Sequence, residues 1–466
     1  MNTPHHIAVI GAGIMGQGIA QVMAQAGHRV SVFDVADGAA EAARTAIGEA
    51  LARRVSKGRL SEADRQATID RLHPVDRMDD LADADLVVEA IVERLDVKHA
   101  VFQELETVCS TDTLLCTNTS SLSVTDIADG LRHPQRLFGL HFFNPAPVMK
   151  LVEVVNTRDS DPALQRMLLD WVPTLGKQPV SVADSPGFIV NRCARPFYSE
   201  SLVMLEQNLA TPEVIDDCLT ANLGVPLGPF ALMDLVGLDI NLAATETLWR
   251  AFDHHPRFRP AVSVRDRVEA GQLGRKTGQG FYPHPRPKAE HIYTARVDGS
   301  AALVDRLQAE LPCAVVISDG RSADRIAAET AQPVLLLDQS FIDWTDRPAT
   351  LAYTASGYLD EGVCEMAEAC AAKFGVGLIR VPDKPGLIAQ RLVTMLFDEA
   401  DRVARSGVAE AGDIDTALRN GLNFRLGPFA LAEQLTDPVR ERIRARLTEQ
   451  DTSGRYQADP VETPGP

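Results

Sequence analysis

The sequence predicts an α/β N-terminal domain of the Rossmann type, doubly wound, followed by an all-α domain, then a degenerate second α/β segment and a second helical domain. Three observations predict it. A glycine-rich turn, Gly11-Ala12-Gly13-Ile14-Met15-Gly16, lies between an apolar run and a helical periodicity. Short apolar runs recur to about residue 183, after which the pattern becomes long and helical. Finally, Asp184-Ser185-Pro186-Gly187 and Gly228-Pro229-Phe230-Ala231-Leu232 return, 199 residues later, as Asp383-Lys384-Pro385-Gly386 and Gly427-Pro428-Phe429-Ala430-Leu431.

The elements follow in order. His6 to Ile10 reads as a buried parallel strand, Gly13 to Ala26 as a helix stopped by Gly27, and His28 to Asp34 as the next strand. Residues 38–73 read as two charged helices, longer than an ordinary crossover. Leu86 to Ile91, Leu114 to Thr117 and Leu137 to His141 are further strands, and residues 151–155 and 179–183 close the sheet. Helical periodicity runs from Pro186 to about residue 250, and Pro283 to Lys288 reads as a linker. In the second half, Ala314 to Ile317 and Val334 to Leu337 are apolar runs with no glycine loop before them, so this copy is expected to be short and cofactor-free. The expected domains are 1–183, 184–284, 285–380 and 381–448, with 449–466 a disordered polar tail.

Bulk properties narrow the function. At 466 residues the chain exceeds one hydrophobic core, and 45% apolar with 24% charged residues is ordinary for a folded protein. A net charge of −18 disfavours nucleic acid and anionic membrane as partners. Seven scattered cysteines without a C-x-x-C pair point away from disulfides or a metal site and towards a reducing cytoplasm. No apolar run is long enough to span a membrane, and the early first strand leaves no room for a signal peptide.

The glycine loop has a physical reading. Gly11 allows the tight turn, Gly13 lets backbone N–H groups approach a pyrophosphate, and Gly16 lets the helix pack on the strand. Ile14 and Met15 lie in the same loop, at a helix N-terminus that favours anions. Asp34 ends the second strand, where its carboxylate would accept from ribose hydroxyls and repel a 2′-phosphate. NAD is therefore expected over NADP, and FAD is the weaker alternative.

Downstream lie the groups of an alcohol oxidation. His141 ends an apolar strand before Phe142-Phe143-Asn144-Pro145 and can act as the base. Glu153, alone among apolar neighbours in Leu151-Val152-Glu153-Val154-Val155, is costly to bury unless paired, and a pair with His141 would steady the imidazolium. Ser120, in Asn118-Thr119-Ser120-Ser121, can bond the substrate oxygen if Ser121 or Ser123 caps the next helix. Asn191, one turn into the helical domain, can donate to the forming carbonyl. By constant offset the second copy carries Gln390 for Asn191 and Ser340 for His141, so only the first half is expected to be catalytic. Because His141 and Asn191 come from different domains, the reaction is expected in the cleft between them. The set reads as a nicotinamide-dependent alcohol dehydrogenase; a non-catalytic NAD-binding protein of the lambda-crystallin type and a free-hydroxyacid dehydrogenase are the rival readings.

The motifs Asn118-Thr119-Ser120-Ser121-Leu122, Gly139-Leu140-His141-Phe142-Phe143-Asn144-Pro145, Pro186-Gly187-Phe188-Ile189-Val190-Asn191-Arg192 and Gly274-Arg275-Lys276-Thr277-Gly278 closely resemble the L-3-hydroxyacyl-CoA dehydrogenase family over residues 6–282. The duplicated helical domain is similar to the longer bacterial members that act on 3-hydroxyadipyl-CoA in phenylacetate breakdown. The resemblance implies NAD-dependent oxidation of an (S)-3-hydroxyacyl-CoA to a 3-ketoacyl-CoA, with 3-hydroxyadipyl-CoA or 3-hydroxybutyryl-CoA as substrate. It implies His141 as base, Glu153 as its orienting partner, and Ser120 and Asn191 at the C3 oxygen. Glu93, Lys98, Ser120, Asn144 and Lys276 would join the glycine loop and Asp34 around NAD. Lys57, with Arg53 and Arg54 beside it, would meet coenzyme A, while Ala50 stands where a family member can offer Ser. Family dimers pair their helical domains, so residues 383–435 are expected to fold back on 184–236 as an intrachain pseudo-dimer; association of whole chains is left open.

Overall fold

The computed structural model describes residues 4–285, 295–345 and 349–457. The chain divides into two compact units. One comprises Met1–Val190 with Gly407–Leu422, the other Asn191–Ser406 with Asn423–Pro466.

The first unit is built on an eight-stranded sheet: β1 (His6–Ile10), β2 (Arg29–Phe33), β3 (Leu72–Val75), β4 (Leu86–Glu89), β5 (Leu114–Thr117), β6 (Leu137–Phe142), β7 (Leu151–Asn156) and β8 (Gln178–Ala183). Their order is β3-β2-β1-β4-β5-β6-β7-β8. Every neighbouring pair is parallel except β6 and β7. The chain runs outward from β1 to β3, then returns to β4 beside β1. That reversal opens the crevice at the carboxyl ends of β1 and β4 where ligands of such sheets bind. Strand β1 is buried along its whole length, as its apolar run requires. The two charged helices are Ala39–Ser56 and Glu62–Asp70. They feed β3, which the sequence conceals: Leu-His-Pro-Val carries no clear apolar pattern, and Pro74 is tolerated because β3 is an edge strand.

A short piece of the second repeat completes this unit. The helix Ala411–Gly421 packs on β7 and β8. The N–H of Ala183 donates to the Val408 carbonyl at 2.8 Å, and that of Ser181 to Asp413 Oδ2 at 3.2 Å.

The second unit holds the helical domain of the first repeat, including Arg195–Glu206, Pro212–Leu223, Pro229–Val236 and Leu238–Ala251. It also holds a four-stranded sheet of β9 (Ala314–Ile317), β10 (Val334–Leu337), β11 (Ala349–Ala355) and β12 (Val376–Arg380), ordered β12-β11-β10-β9. Its pairings are parallel, antiparallel and parallel from β9 to β12. Strands β5 to β8 have the same pattern, so the second copy repeats the last four strands of the first sheet and lacks the glycine-loop half.

The register corrects one expectation. Gly139 pairs with Val155 in the first sheet, and Leu336 pairs with Thr354 in the second. The connection from β10 to β11 is thus two residues longer than that from β6 to β7, and Asp338, not Ser340, stands where His141 does. Asp338 N–H bonds to the Ala352 carbonyl, at the Glu153 position. Its carboxylate accepts the N–H groups of Ile388 (3.0 Å) and Ala389 (2.7 Å), and burial pushes it up to about 6.

Two ion pairs relate the repeated helices reciprocally. Arg192 Nε meets Glu399 Oε1 at 2.7 Å, and Arg391 Nε, 199 residues after Arg192, meets Glu200 Oε1 at 2.6 Å. Tyr456 Oη joins the second pair, donating to Glu200 at 2.6 Å. This anchors residues expected to belong to a disordered tail: Tyr456 is buried, and the helix Asp437–Gln450 leads directly to it. Part of the expected linker, residues 286–288, lies outside the described residues.

Candidate active site

The glycine loop is shaped as its sequence demands. Gly11 has φ +104°, and a Cβ there would lie 2.4 Å from the Ala90 carbonyl oxygen. A Cβ on Gly16 would lie 1.8 Å from the Gly11 carbonyl, so the helix Ile14–Gln25 can start here only with glycine. A Cβ on Gly13 meets nothing within 4 Å. That open surface, over the N-terminus of a twelve-residue helix, fits a diphosphate. Asp34 lies just past β2 and accepts the N–H groups of Ala12 (2.7 Å, Oδ2) and Ala36 (2.9 Å, Oδ1), which ties the loop to the second strand. Each oxygen keeps a second lone pair for a ribose hydroxyl. Ile14, Val35, Val92 and Val148 are exposed large apolar side chains of this unit, suited to flank flat cofactor rings. The residues present therefore fit NAD.

Strands β6 and β7 bring the two central residues together. His141 pairs directly with Glu153 across the antiparallel ladder. Its Nδ1 lies 2.7 Å from Glu153 Oε2, with the imidazole 5% exposed and the carboxylate fully buried. The other carboxylate oxygen, Oε1, accepts the N–H groups of Ile189 (3.1 Å) and Val190 (3.0 Å). Those amides are aimed by the Gly187-Phe188 turn, where both residues have positive φ, 77° and 50°. Phe143 and Phe188 pack on the imidazole at ring-centre distances of 4.4 and 5.7 Å. The carboxylate holds Nδ1, which assigns the proton there and leaves Nε2 with a lone pair. Asn118 Oδ1 accepts the N–H of Phe142 at 2.8 Å, fixing the end of β6 to the turn after β5.

A second cluster organises the Ser120 turn. Glu93 Oε1 accepts from Thr119 Oγ1 (2.6 Å), the N–H of Ser120 (3.0 Å), and the N–H and Oγ of Ser121 (3.2 and 2.9 Å). Burial alone would push Glu93 up, but these hydrogen bonds and the charge of Lys98 hold it below its ordinary value. Ser123 caps the next helix, accepting from the Asp126 N–H at 3.0 Å. Lys98 is 1% exposed and points inward: Nζ donates to Glu89 Oε1 at 2.6 Å and lies 3.3 Å from Glu93 Oε2. Glu89 also accepts from Thr117 Oγ1 and the Ile91 N–H, both at 2.7 Å. Sequence reading missed Glu89; its signal was a carboxylate ending a buried strand nine residues before a lysine.

Asn144 is exposed just past β6, and Arg53, Arg54 and Lys57 are exposed at the end of the helix Ala39–Ser56. Asn191 opens the second unit, next in the chain to Val190. Lys276, also in the second unit, lies with Nζ 2.6 Å from both carboxylate oxygens of Asp239. Among the described residues, no cluster of His, Cys, Asp or Glu could hold a metal ion, and no helix is long and apolar enough to cross a membrane.

Comparison with known proteins agrees with this geometry. Residues 6–185 match the NAD-binding domain of 3-hydroxyacyl-CoA dehydrogenase, and residues 187–284 and 386–463 match its C-terminal domain twice over. A 3-hydroxyadipyl-CoA dehydrogenase of Escherichia coli K12 is 39% identical over 436 residues, covering 92% of this chain and 90% of the relative. A 3-hydroxybutyryl-CoA dehydrogenase of Mycobacterium tuberculosis is 41% identical over 280 residues, covering 60% of this chain and 98% of the relative. A crystal structure described as 3-hydroxybutyryl-CoA dehydrogenase from Escherichia coli K12 superposes with a TM-score of 0.88 at 37% identity, covering 98% of this chain and 97% of that one. With a fitting NAD loop, a buried His–Glu pair at the strand ends and both domains of one family matched along its length, the chain belongs to the 3-hydroxyacyl-CoA dehydrogenase family, as an NAD-dependent oxidoreductase of 3-hydroxyacyl-CoA esters.

Proposed function

We propose that His141 Nε2 takes the C3 hydroxyl proton of an (S)-3-hydroxyacyl-CoA. The observation that carries this is the 2.7 Å bond from the buried Glu153 to His141 Nδ1. Glu153 holds the ring in the tautomer whose other nitrogen can accept, and stabilises the imidazolium once it forms. When bound at the glycine loop, NAD would supply the acceptor for the C3 hydride. Ser120 and Asn191 orient the C3 oxygen, Ser120 from a turn that Glu93 fixes through four hydrogen bonds. The glycine loop (Gly11, Gly13, Ile14, Met15 and Gly16) and Asp34 hold the dinucleotide, with Glu93, Asn144 and Lys276 as further contacts. Lys98 acts on the cofactor through Glu93, because its ammonium is buried against carboxylates. Arg53, Arg54 and Lys57 take the coenzyme A phosphates, a local basic patch on a chain of net charge −18.

For the acyl group we favour 3-hydroxyadipyl-CoA, after the relative that is 39% identical over 92% of this chain, with 3-hydroxybutyryl-CoA, after the structural neighbour that covers 98% of it, as the shorter alternative. Steady-state comparison of the two esters decides it: equal kcat/KM, or a preference for the short ester, refutes the dicarboxylic reading. The assay for the base is oxidation of NADH by acetoacetyl-CoA. His141→Gln is expected to abolish it, and unaltered turnover would overturn the assignment. The reciprocal pairs Arg192–Glu399 and Arg391–Glu200 support an intrachain pseudo-dimer in place of a contact between two chains. Light scattering tests it, since an obligate homodimer contradicts it. Seven free cysteines, all buried, suit a reducing cytoplasm.

A further inference from the structure

We propose that Gly421, which ends the helix Ala411–Gly421, is a positioning residue for the His141–Glu153 pair, lent to the catalytic sheet by the second repeat. The inference rests on the assignment of His141 as base. It concerns residues that carry no chemistry of their own.

The first observation is the edge of the sheet. Strand β8 is last in the order, so the alternate N–H groups of Ser181 and Ala183 point away from β7. An edge strand with open donors is a liability. Here both donors are met from residues 407–422, by Asp413 Oδ2 and the Val408 carbonyl. The end of the catalytic sheet is thus closed by a segment more than 200 residues away.

The second observation is the close approach at Gly421. Its φ is not positive, so backbone conformation does not demand glycine there. Space does: a Cβ would lie 3.0 Å from Leu151 Cδ2 and 3.0 Å from Val190 Cγ2. Both neighbours lead to the catalytic carboxylate. Leu151 is two residues before Glu153 and therefore on the same face of β7. Val190 donates its own N–H to Glu153 Oε1. A side chain at 421 would press on the strand that carries Glu153 and on the turn that bonds it. Displacing Glu153 rotates His141, and an error of about 1 Å in such a pair can cost about 100-fold in rate. Strands β4, β5 and β6 lie between β7 and the β1–β2 pair that carries the glycine loop and Asp34, so cofactor binding is expected to be insulated from the change.

The test uses the full chain with NAD and a 3-hydroxyacyl-CoA deuterated at C3. Gly421→Leu is expected to lower kcat by about tenfold or more, leave KM for NAD within about twofold, and raise the primary isotope effect as the chemical step becomes limiting. Truncating the neighbour, Leu151→Ala, in the same chain is expected to restore part of kcat, measured against Leu151→Ala alone. Gly412→Leu is the control on the same helix, because a Cβ there meets nothing within 4 Å; its kcat is expected to be unchanged. If Gly421→Leu yields no folded protein, Gly421→Ala is expected to lower kcat by roughly two- to fivefold with the same KM pattern. Unchanged kcat in the folded variant, or an equal loss in Gly412→Leu, overturns the proposal. Retained turnover in His141→Gln would instead overturn the base assignment, so the two failures are separable.

Discussion

Replacing Glu153 by Gln tests the catalytic pair through its hydrogen-bond arithmetic. The carboxylate accepts on both oxygens: Oε2 from His141 Nδ1 at 2.7 Å, Oε1 from the Ile189 and Val190 N–H groups at 3.1 and 3.0 Å. An amide of the same shape has one acceptor and one donor end. If its oxygen stays with the two backbone N–H groups, its NH₂ faces Nδ1, which must then accept. The proton moves to Nε2, and the base is lost. The opposite flip keeps Nδ1–H bonded but turns the NH₂ onto two buried N–H groups. Leaving those unsatisfied costs about 1–3 kcal/mol each, so about 2–6 kcal/mol in all. The inactive flip is therefore the ground state of the variant. Reaching the active one slows the reaction by roughly 30-fold to 25,000-fold, at 1.36 kcal/mol per factor of ten. Loss of the negative charge beside the imidazolium adds to this. The assay is steady-state oxidation of a 3-hydroxyacyl-CoA with varied NAD. kcat is expected to fall within that range while KM for NAD stays within about twofold, because the glycine loop is untouched. A kcat within about threefold of the parent would refute the reasoning, as would a loss confined to KM for NAD.

Three further outcomes follow from the geometry. Gly13→Ala is expected to fold normally and weaken NAD binding by titration calorimetry, whereas Gly16→Ala, with its methyl driven into the Gly11 carbonyl, is expected to yield little folded protein; equal behaviour of the two contradicts the loop reading. Burial, offset by Arg444 and Arg402 and reinforced by Asp401 and Glu399, raises Asp398 to about 6. Its folded value thus exceeds the unfolded one near 3.9, so its contribution to stability is intact below about pH 4 and lost as pH rises through 6, by about 3 kcal/mol at pH 7. Asp398→Asn should accordingly raise Tm at pH 7.5 and not at pH 4, and equal shifts at both pH values would contradict the sign. Arg391→Met leaves Glu200 buried against Tyr456 without its cation and is expected to destabilise by about 3–5 kcal/mol in urea unfolding; adding Glu200→Gln should recover much of it, and additive losses would show that the pair is not coupled.

What was legible in the sequence is what local chemistry dictates. A lone glutamate in an apolar strand announces a buried partner, and twelve residues upstream stands the histidine that the antiparallel ladder sets opposite it. The glycine loop is legible because each position has its own steric reason. The burial of Lys98 was not legible. Nothing local marks a lysine as buried, and only the fold reveals that Glu89 and Glu93 claim its charge. Strand β3 was hidden because an edge strand needs neither apolar alternation nor every N–H. The matching of Ser340 to His141 failed because a constant offset cannot see a connection lengthened by two residues. Strand register, fixed by hydrogen bonds, places Asp338 there instead.

That substitution explains how the second copy could lose its chemistry and keep its fold. In the first copy the amides that open the helical domain, at Ile189 and Val190, need a buried acceptor, and Glu153 on β7 provides it. In the second copy the matching amides, at Ile388 and Ala389, meet Asp338 from the end of β10. The acceptor survives on the neighbouring strand, while the imidazole position is spent on holding it. A half-sheet without a glycine loop still serves a purpose, because the helix Pro212–Leu223 packs on β11, with Asn222 Nδ2 donating to the Thr350 carbonyl at 3.0 Å. The equivalent helix of the second repeat, Ala411–Gly421, packs on β7 and β8. Each repeat thus supports one helix on a strand equivalent to β7. That strand is retained in both copies, and the nucleotide-binding half, which supports neither helix, is the part the second copy lacks.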